Sequence, residues 1–350
     1  MTPKLIDTLA APLRAPFWLA GVLGTEKSFL ANPIIGSPYL NRLGLHRARV
    51  RLAAAMARRR RAAMAARLDP SDRAAFDRDG FVVKPDFLPP EAFDALRGAV
   101  FGGVHPAREM RQGGTVTRMT PLSDPPLAPA RAFAAREDVA ALIGYAAGRS
   151  GAPVMFLQTV FADPARGGVD PQTALHADTF HATGKLWLFL TDVGENDGPF
   201  VFVPGSHRLT PQRLAWEHEQ SLTARGDARR HHALGSFRIA PEGLAALGYG
   251  APRRMMVKAN TLIVADTYGF HHRAPSPRPT TRVEIHGYLR RNPFLPWNGL
   301  DPAGVPGVRG RQLDLYFGWL DLRRQHLGAG SIWKDYGPVA LDAPAGGQAR

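Results

Sequence analysis

The sequence predicts an α+β protein with a mainly β core, and three observations carry that prediction. From about Val154 onward, short runs of β-branched and aromatic residues alternate with Gly, Pro and Asp breaks, the texture of a sandwich or barrel. Before that point helical segments flank the strands, so the helices gather at the N-terminal side. The length of 350 residues, with 45% hydrophobic and 21% charged side chains, is enough to bury a sizeable core.

The first segment is a basic leader. Residues 1–70 hold 12 basic and 3 acidic side chains, which accounts for most of the net charge of +14. Arg47, Arg49, Arg51 and Arg58 to Arg61 are interleaved with Ala, Leu, Val and Met, so a basic amphipathic helix is expected. Such a helix either packs on the main domain with its arginines solvated or contacts an anionic surface such as a membrane. Nucleic acid is not an expected partner, since no binding motif or basic–aromatic interleaving accompanies the charge.

Asp69-Pro70-Ser71 opens the next helix and Gly80 stops it; Phe81 to Val83 reads as a strand, and Pro89-Pro90-Glu91 begins another helix. Pro121 to Pro129 reads as an extended loop. Strands follow at Val154 to Phe161, Lys185 to Leu190, Phe200 to Val203, Met255 to Val257, Thr261 to Val264 and Arg282 to Leu289. Glu217 to Ser236 has no clear period and is expected to be a loop or lid between strands. The division expected is a helical extension over 1–70, the main domain over 71–295, and a C-terminal extension over 296–350 packed on the core, its end disordered.

With no cysteine, disulfides, thiolate zinc sites, iron–sulfur clusters and a cysteine nucleophile are excluded, and a metal must sit on His, Asp or Glu. No apolar run approaches the roughly 20 residues of a spanning helix, and no secretory signal is visible, so the cytoplasm is the expected location. Peripheral contact with an anionic membrane through residues 1–70 is compatible with this.

The chemistry-bearing stretch begins at Leu175-His176-Ala177-Asp178-Thr179. Positions i and i+2 of an extended segment point the same way, so His176 and Asp178 aim at one point. An imidazole from a distant strand, with candidates in Gly269-Phe270-His271-His272-Arg273, would complete a two-histidine, one-carboxylate face suited to iron(II). A His-x-Asp triplet alone is weak, because a strand histidine is more often a hydrogen-bonded core residue.

Context strengthens it. Phe76-x-x-Asp79-Gly80-Phe81-Val82-Val83, then His176-Ala177-Asp178, then Asn196-Asp197-Gly198-Pro199-Phe200 with Pro204-Gly205-Ser206-His207, and a His followed eleven residues later by an Arg, together resemble the phytanoyl-CoA dioxygenase family. The resemblance runs from about residue 72 to about 292. It implies a double-stranded β-helix (jelly roll, cupin-like) with flanking N-terminal helices, and an enzyme that uses Fe(II), the cosubstrate 2-oxoglutarate and O2. Carried over residue by residue, it makes His176, Asp178 and His271 the iron ligands and Arg282 the partner of the distal 2-oxoglutarate carboxylate, with His272 pointing away. A guanidinium suits that role because it holds a carboxylate through two parallel hydrogen bonds. Where several family members carry a hydroxyl residue two after the distal His, this chain has Arg273, so Gln158, Lys185 and Thr191 are auxiliary candidates.

In related iron halogenases the carboxylate is replaced by a small residue, so Asp178 implies hydroxylation of a small-molecule or lipid-like substrate. Arginines at 229, 230, 253, 254, 290 and 291 would suit an anionic one. Two other classes share some of these features: a cupin-like metal-dependent isomerase or hydrolase without 2-oxoglutarate, and a non-catalytic protein binding an anionic surface. His207 is expected to be structural, and Trp297, Trp319 and Trp333 packing anchors.

Overall fold

The computed structural model describes residues 14–299 and 301–346. Eleven strands are present among them. In chain order they are β1 (Phe81–Lys84), β2 (His105–Gln112), β3 (Thr115–Pro121), β4 (Val154–Ala162), β5 (Gly184–Phe189), β6 (Phe200–Phe202), β7 (Arg253–Met255), β8 (Leu262–Asp266), β9 (His271–Arg273), β10 (Thr280–Leu289) and β11 (Lys334–Val339). Eight form one antiparallel sheet in the order β1-β8-β5-β10-β4-β3-β2-β11, and three form a second in the order β7-β6-β9. The two sheets face each other as a jelly roll, with Phe81, Trp187, Phe189, Phe200, Phe202 and Ile263 between them.

The period of two along each strand explains the layering. On β5, β8 and β10 the side chains Leu186, Leu188, Leu262, Val264, Val283 and Ile285 point away from the small sheet, each at most 1% exposed. Helices Pro70–Asp79, Pro90–Phe101, Ala128–Ala134 and Glu137–Ala146 supply the apolar cover for this face through Phe76, Phe93, Leu96, Phe133, Val139 and Ile143. Fully burying each such side chain contributes about 1.5–3 kcal/mol.

The Pro70–Asp79 helix forms where its caps predict it. Asp69 accepts from Ser71 N at 2.8 Å, Pro70 fits the first turn, and Gly80 ends the helix at φ 87°. Glycine is required there twice over, since a Cβ on Gly80 would also lie 2.5 Å from His207 Nδ1. His207 is buried against Phe76, with ring centroids 5.3 Å apart, as a structural histidine would be.

Several expectations need correction. Residues 217–236 are largely helical: Pro211–Thr223 is a helix, followed by short helical turns. Its period is hidden because the side chains it buries, Arg213, Glu217 and Ser221, are polar. Within Pro121 to Pro129 the chain turns through a 3-10 helix at Pro125–Leu127 into the helix Ala128–Ala134. Strands β2 and β3 escape sequence patterning because their buried positions include His105, Glu109, Arg118 and Thr120. Trp333 is buried with Phe156, Leu313 and Phe317, whereas Trp297 and Trp319 are exposed.

The basic leader lies against the body of the protein. Its helix Leu45–Met64 buries Arg49 and Arg60 together with Val50, Ala53, Ala57 and Met64. Arg49 donates to the carbonyls of Val22, Gly21, Gly24 and Glu26, and Arg60 to those of Gly148, Pro293 and Leu295. These arginines act as cross-links through carbonyl oxygens and are not solvated. Among the described residues no helix is long and apolar enough to cross a membrane. The expected disorder at the chain's end falls on residues 347–350, outside the described residues.

Candidate metal centre

Single bridges extend the small sheet past β9. His176 N donates to His271 O at 3.0 Å and His271 N returns the bond to His176 O at 2.9 Å. On the other side of the same segment, Ala177 N donates to Phe237 O and Ile239 N to Leu175 O. Asp178 N donates to Thr267 O at 2.9 Å. The segment carrying His176 and Asp178 is thus clamped between 236–239 and 267–271, which sets two ligand-type side chains beside the third.

The three side chains converge. Asp178 Oδ1 lies 3.7 Å from His176 Nε2 and 3.7 Å from His271 Nε2, and one ligand atom from each residue falls within 4.8 Å of the others. His176 Nδ1 faces Ala174 O at 2.6 Å and His271 Nδ1 faces Gly269 O at 2.9 Å. A carbonyl only accepts, so each Nδ1 carries the proton and each Nε2 turns its lone pair toward Asp178. This donor set fits a divalent metal of the iron type.

Electrostatics favour the ligand forms. Burial opposes the Asp178 charge, but Lys185 Nζ at 2.6 Å outweighs it and holds the carboxyl well below its usual range. Burial pushes His271 down to about 3, against the pull of Asp178, so its imidazole is neutral. Burial likewise pushes His286 down to about 3.

His176 and His271 line a cavity of about 200 Å³ with Gln158, Lys185, Arg273 and Arg282. Arg282, 6% exposed, donates from Nη1 to Gly198 O and lies with Nε 2.7 Å from Glu284 Oε2. Its Nη2 is 3.4 Å from Glu284 Oε1, which leaves one hydrogen on each terminal nitrogen for a further acceptor. Gln158 Nε2 donates to Glu284 Oε1 at 2.8 Å. Thr191 is not among the cavity-lining residues, and its hydroxyl accepts from Val283 N at 3.2 Å, a strand-edge role. His272, expected to point away, does line the cavity; its ring lies against Arg273 O at 3.0 Å and it stands outside the triad.

Three partners of the site residues were not read from the sequence: Glu284, Asp170 and Lys27. Glu284, fully buried, is the counter-charge of Arg282, and its i+2 position on the same strand is the signal that would have revealed it. Arg273 pairs with Asp170 at 2.8 Å, so the residue that stands where a hydroxyl was expected is held by a carboxylate from a distant loop. Lys27 of the leader donates from Nζ to the backbone carbonyl of Asp178 at 2.5 Å and lies 3.4 Å from Ser236 Oγ. No local signal marks a contact that spans 151 residues.

The phytanoyl-CoA dioxygenase (PhyH) family model matches residues 76–235, which include His176 and Asp178. No curated protein matches the sequence. Among solved structures, the chain is similar to the non-heme alpha ketoglutarate dependent epimerase SnoN from nogalamycin biosynthesis, at 20% identity over 67% of this chain and 93% of that one, with a TM-score of 0.42. It is also similar to HygX from Streptomyces hygroscopicus with nickel, 2-oxoglutarate and hygromycin B bound, at 15% identity over 64% and 88%, TM-score 0.39. A third is EctD from S. alaskensis with 2-oxoglutarate and 5-hydroxyectoine, at 16% identity over 64% and 77%, TM-score 0.41.

Proposed function

We propose, from the premise that residues 76–235 belong to the phytanoyl-CoA dioxygenase family, that this protein is an iron(II)- and 2-oxoglutarate-dependent dioxygenase that hydroxylates a C–H bond of a small-molecule or lipid-like substrate. The observation that carries the reading is the convergence of His176, Asp178 and His271, with both Nε2 atoms free, in one cavity region with a buried arginine. The family match stops before His271 and Arg282, so their placement is independent support.

In this reading His176 and His271 hold the metal through Nε2 and Asp178 through its carboxylate. When bound, iron(II) with 2-oxoglutarate supplies the reduction of O2 that inserts one oxygen atom into the substrate C–H bond, while the other enters succinate as carbon dioxide leaves. Arg282 orients the distal carboxylate of the diacid through its two remaining hydrogens, and Glu284 with Gly198 O keeps the guanidinium from swinging away. Trp187, Phe189 and Phe200 on the cavity wall exclude water around it. Lys185 and Gln158, which line the cavity, are proposed as the auxiliary donors for the cosubstrate, and Thr191 does not line it. Lys27 and Arg290 border a cavity of about 600 Å³ beside Asp178, and their charge suits a substrate with an anionic group.

Anaerobic addition of iron(II) and 2-oxoglutarate tests the assignment. A weak visible charge-transfer band is expected, and Asp178→Ala should lose it together with iron binding. An unchanged band in that variant would sink the proposal.

A further inference from the structure

Between the basic helix and the body of the protein lies a cavity of about 700 Å³ that shares no lining residue with the His–Asp–His site. One wall is a single face of the leader: Ala54, Ala57, Arg58, Arg61, Ala62 and Ala65 follow the spacing i, i+3, i+4, i+7, i+8, i+11. A helix docked on a core ordinarily fills such a face with large apolar side chains. Here alanines leave the space open and arginines give it charge. Phe180, Leu209 and Tyr268 form an apolar counter-wall. The volume lies in the range of small-ligand pockets.

The charge around this cavity is unbalanced. Four arginines, Arg58, Arg61, Arg73 and Arg208, face two aspartates, Asp77 and Asp266. Arg61 is consumed by Asp266 at 2.7 Å, and Asp77 accepts from the Tyr145 hydroxyl at 2.9 Å. Among the described residues, the Arg208 side chain is held only by the backbone carbonyls of Asp77 and Arg78, at 3.1 Å each. Arg58 and Arg73 are exposed, and their side chains make no hydrogen bond or ion pair among the described residues. A second observation points the same way. The Tyr268 hydroxyl and His181 Nε2, on lining residues 4% and 3% exposed, are buried without a hydrogen-bond partner among the described residues. Buried polar atoms are seldom left so unless a ligand or water serves them.

We propose that this cavity binds an anionic amphiphile. A carboxylate or phosphate group is held at the mouth by Arg58 and Arg73, and an apolar body lies along the alanine face against Phe180 and Leu209. The site is separate from the metal centre and does not depend on how that centre is read. Its occupant nonetheless rests on residues 180–182, Asp266 and Tyr268, which flank the segments bearing Asp178 and His271.

Calorimetric titration of the full chain with decyl phosphate below its micellar concentration tests the proposal, alongside inorganic phosphate, decanol, and vesicles of phosphatidylcholine with a minor fraction of phosphatidylglycerol. Saturable one-to-one binding of decyl phosphate is expected, with phosphate and decanol each weaker by roughly tenfold or more. The Arg58→Ala/Arg73→Ala double variant should lose about the same factor for decyl phosphate. Ala54→Phe, which fills the cavity, should abolish binding; if that variant fails to fold, the double variant, altered only at exposed side chains, decides. The proposal is overturned if decyl phosphate does not bind saturably, if the double variant binds it unchanged, or if vesicles bind while the monomeric amphiphile does not.

Discussion

The two sides of β10 offer a comparison within one strand. Its outward residues Val283 and Ile285 sit in the aliphatic layer under the helices, fully buried. Its inward residues Arg282, Glu284 and His286 are buried almost as deeply, yet all are polar. Both sets hang on the same backbone ladder, paired to β4 and β5, so hydrogen bonding along the strand does not distinguish them. What differs is what each face is for. The aliphatic face stabilises the fold by burial, whereas the polar face bears desolvation costs that its internal pairing offsets.

If that division is right, the two faces fail differently. Arg282→Ala should weaken 2-oxoglutarate binding by roughly thirtyfold or more, the loss of a buried charge-paired fork being worth about 2–5 kcal/mol. Arg282→Lys should fall between, since it keeps the charge and loses the planar fork. Affinity measured through the anaerobic chelate band separates the three proteins, and equal affinity in all would break the comparison. On the other face, Ile285→Ala should lower unfolding free energy by about 2–5 kcal/mol in a denaturant titration. The folded fraction should bind 2-oxoglutarate normally, and a large affinity loss there would show that the faces are not separable.

A buried polar cluster outside the metal centre sharpens the contrast. Glu217 lies 2.9 Å from His46 Nε2 and 3.0 Å from Arg213, tying the leader helix to the Pro211–Thr223 helix. Burial opposes its charge, but Arg213 and the His46 hydrogen bond prevail and its pKa is lowered. The unfolded chain therefore takes up this proton first. The stabilisation is fully present above the unfolded carboxyl value of about 4.3 and is lost as pH falls through the lower folded value. Glu217→Gln should cost about 1–3 kcal/mol at neutral pH and flatten the acid limb of the stability curve. Denaturant midpoints at several pH values measure both effects, and an unaltered acid limb would remove Glu217 from the account.

Much of the site was legible because its parts are short-range patterns. His176 and Asp178 share a face through their i+2 spacing, and β4, β5, β8 and β10 stand within a few residues of their expected bounds. The jelly roll and the pairing of His271 with Arg282 came through the family resemblance, since no local period brings together strands that are distant in sequence. The leader was the harder case. Arginines at Arg49 and Arg60 looked like a solvated face because a charged side chain satisfied by carbonyl oxygens leaves no trace in composition. The Pro211–Thr223 helix hid for the same reason, burying Arg213 and Glu217 where an apolar stripe was sought.

The reach of Lys27 to Asp178 has a consequence for how the protein must be assembled. Lys27 closes on a carbonyl 151 positions later, so the wall beside the triad is finished only after both ends of that long stretch have met. Trimming the polypeptide to its β-rich portion at residue 70 would remove more than a decorative arm. It would strip away the ammonium group that braces the main chain at Asp178 and open one flank of the centre to solvent.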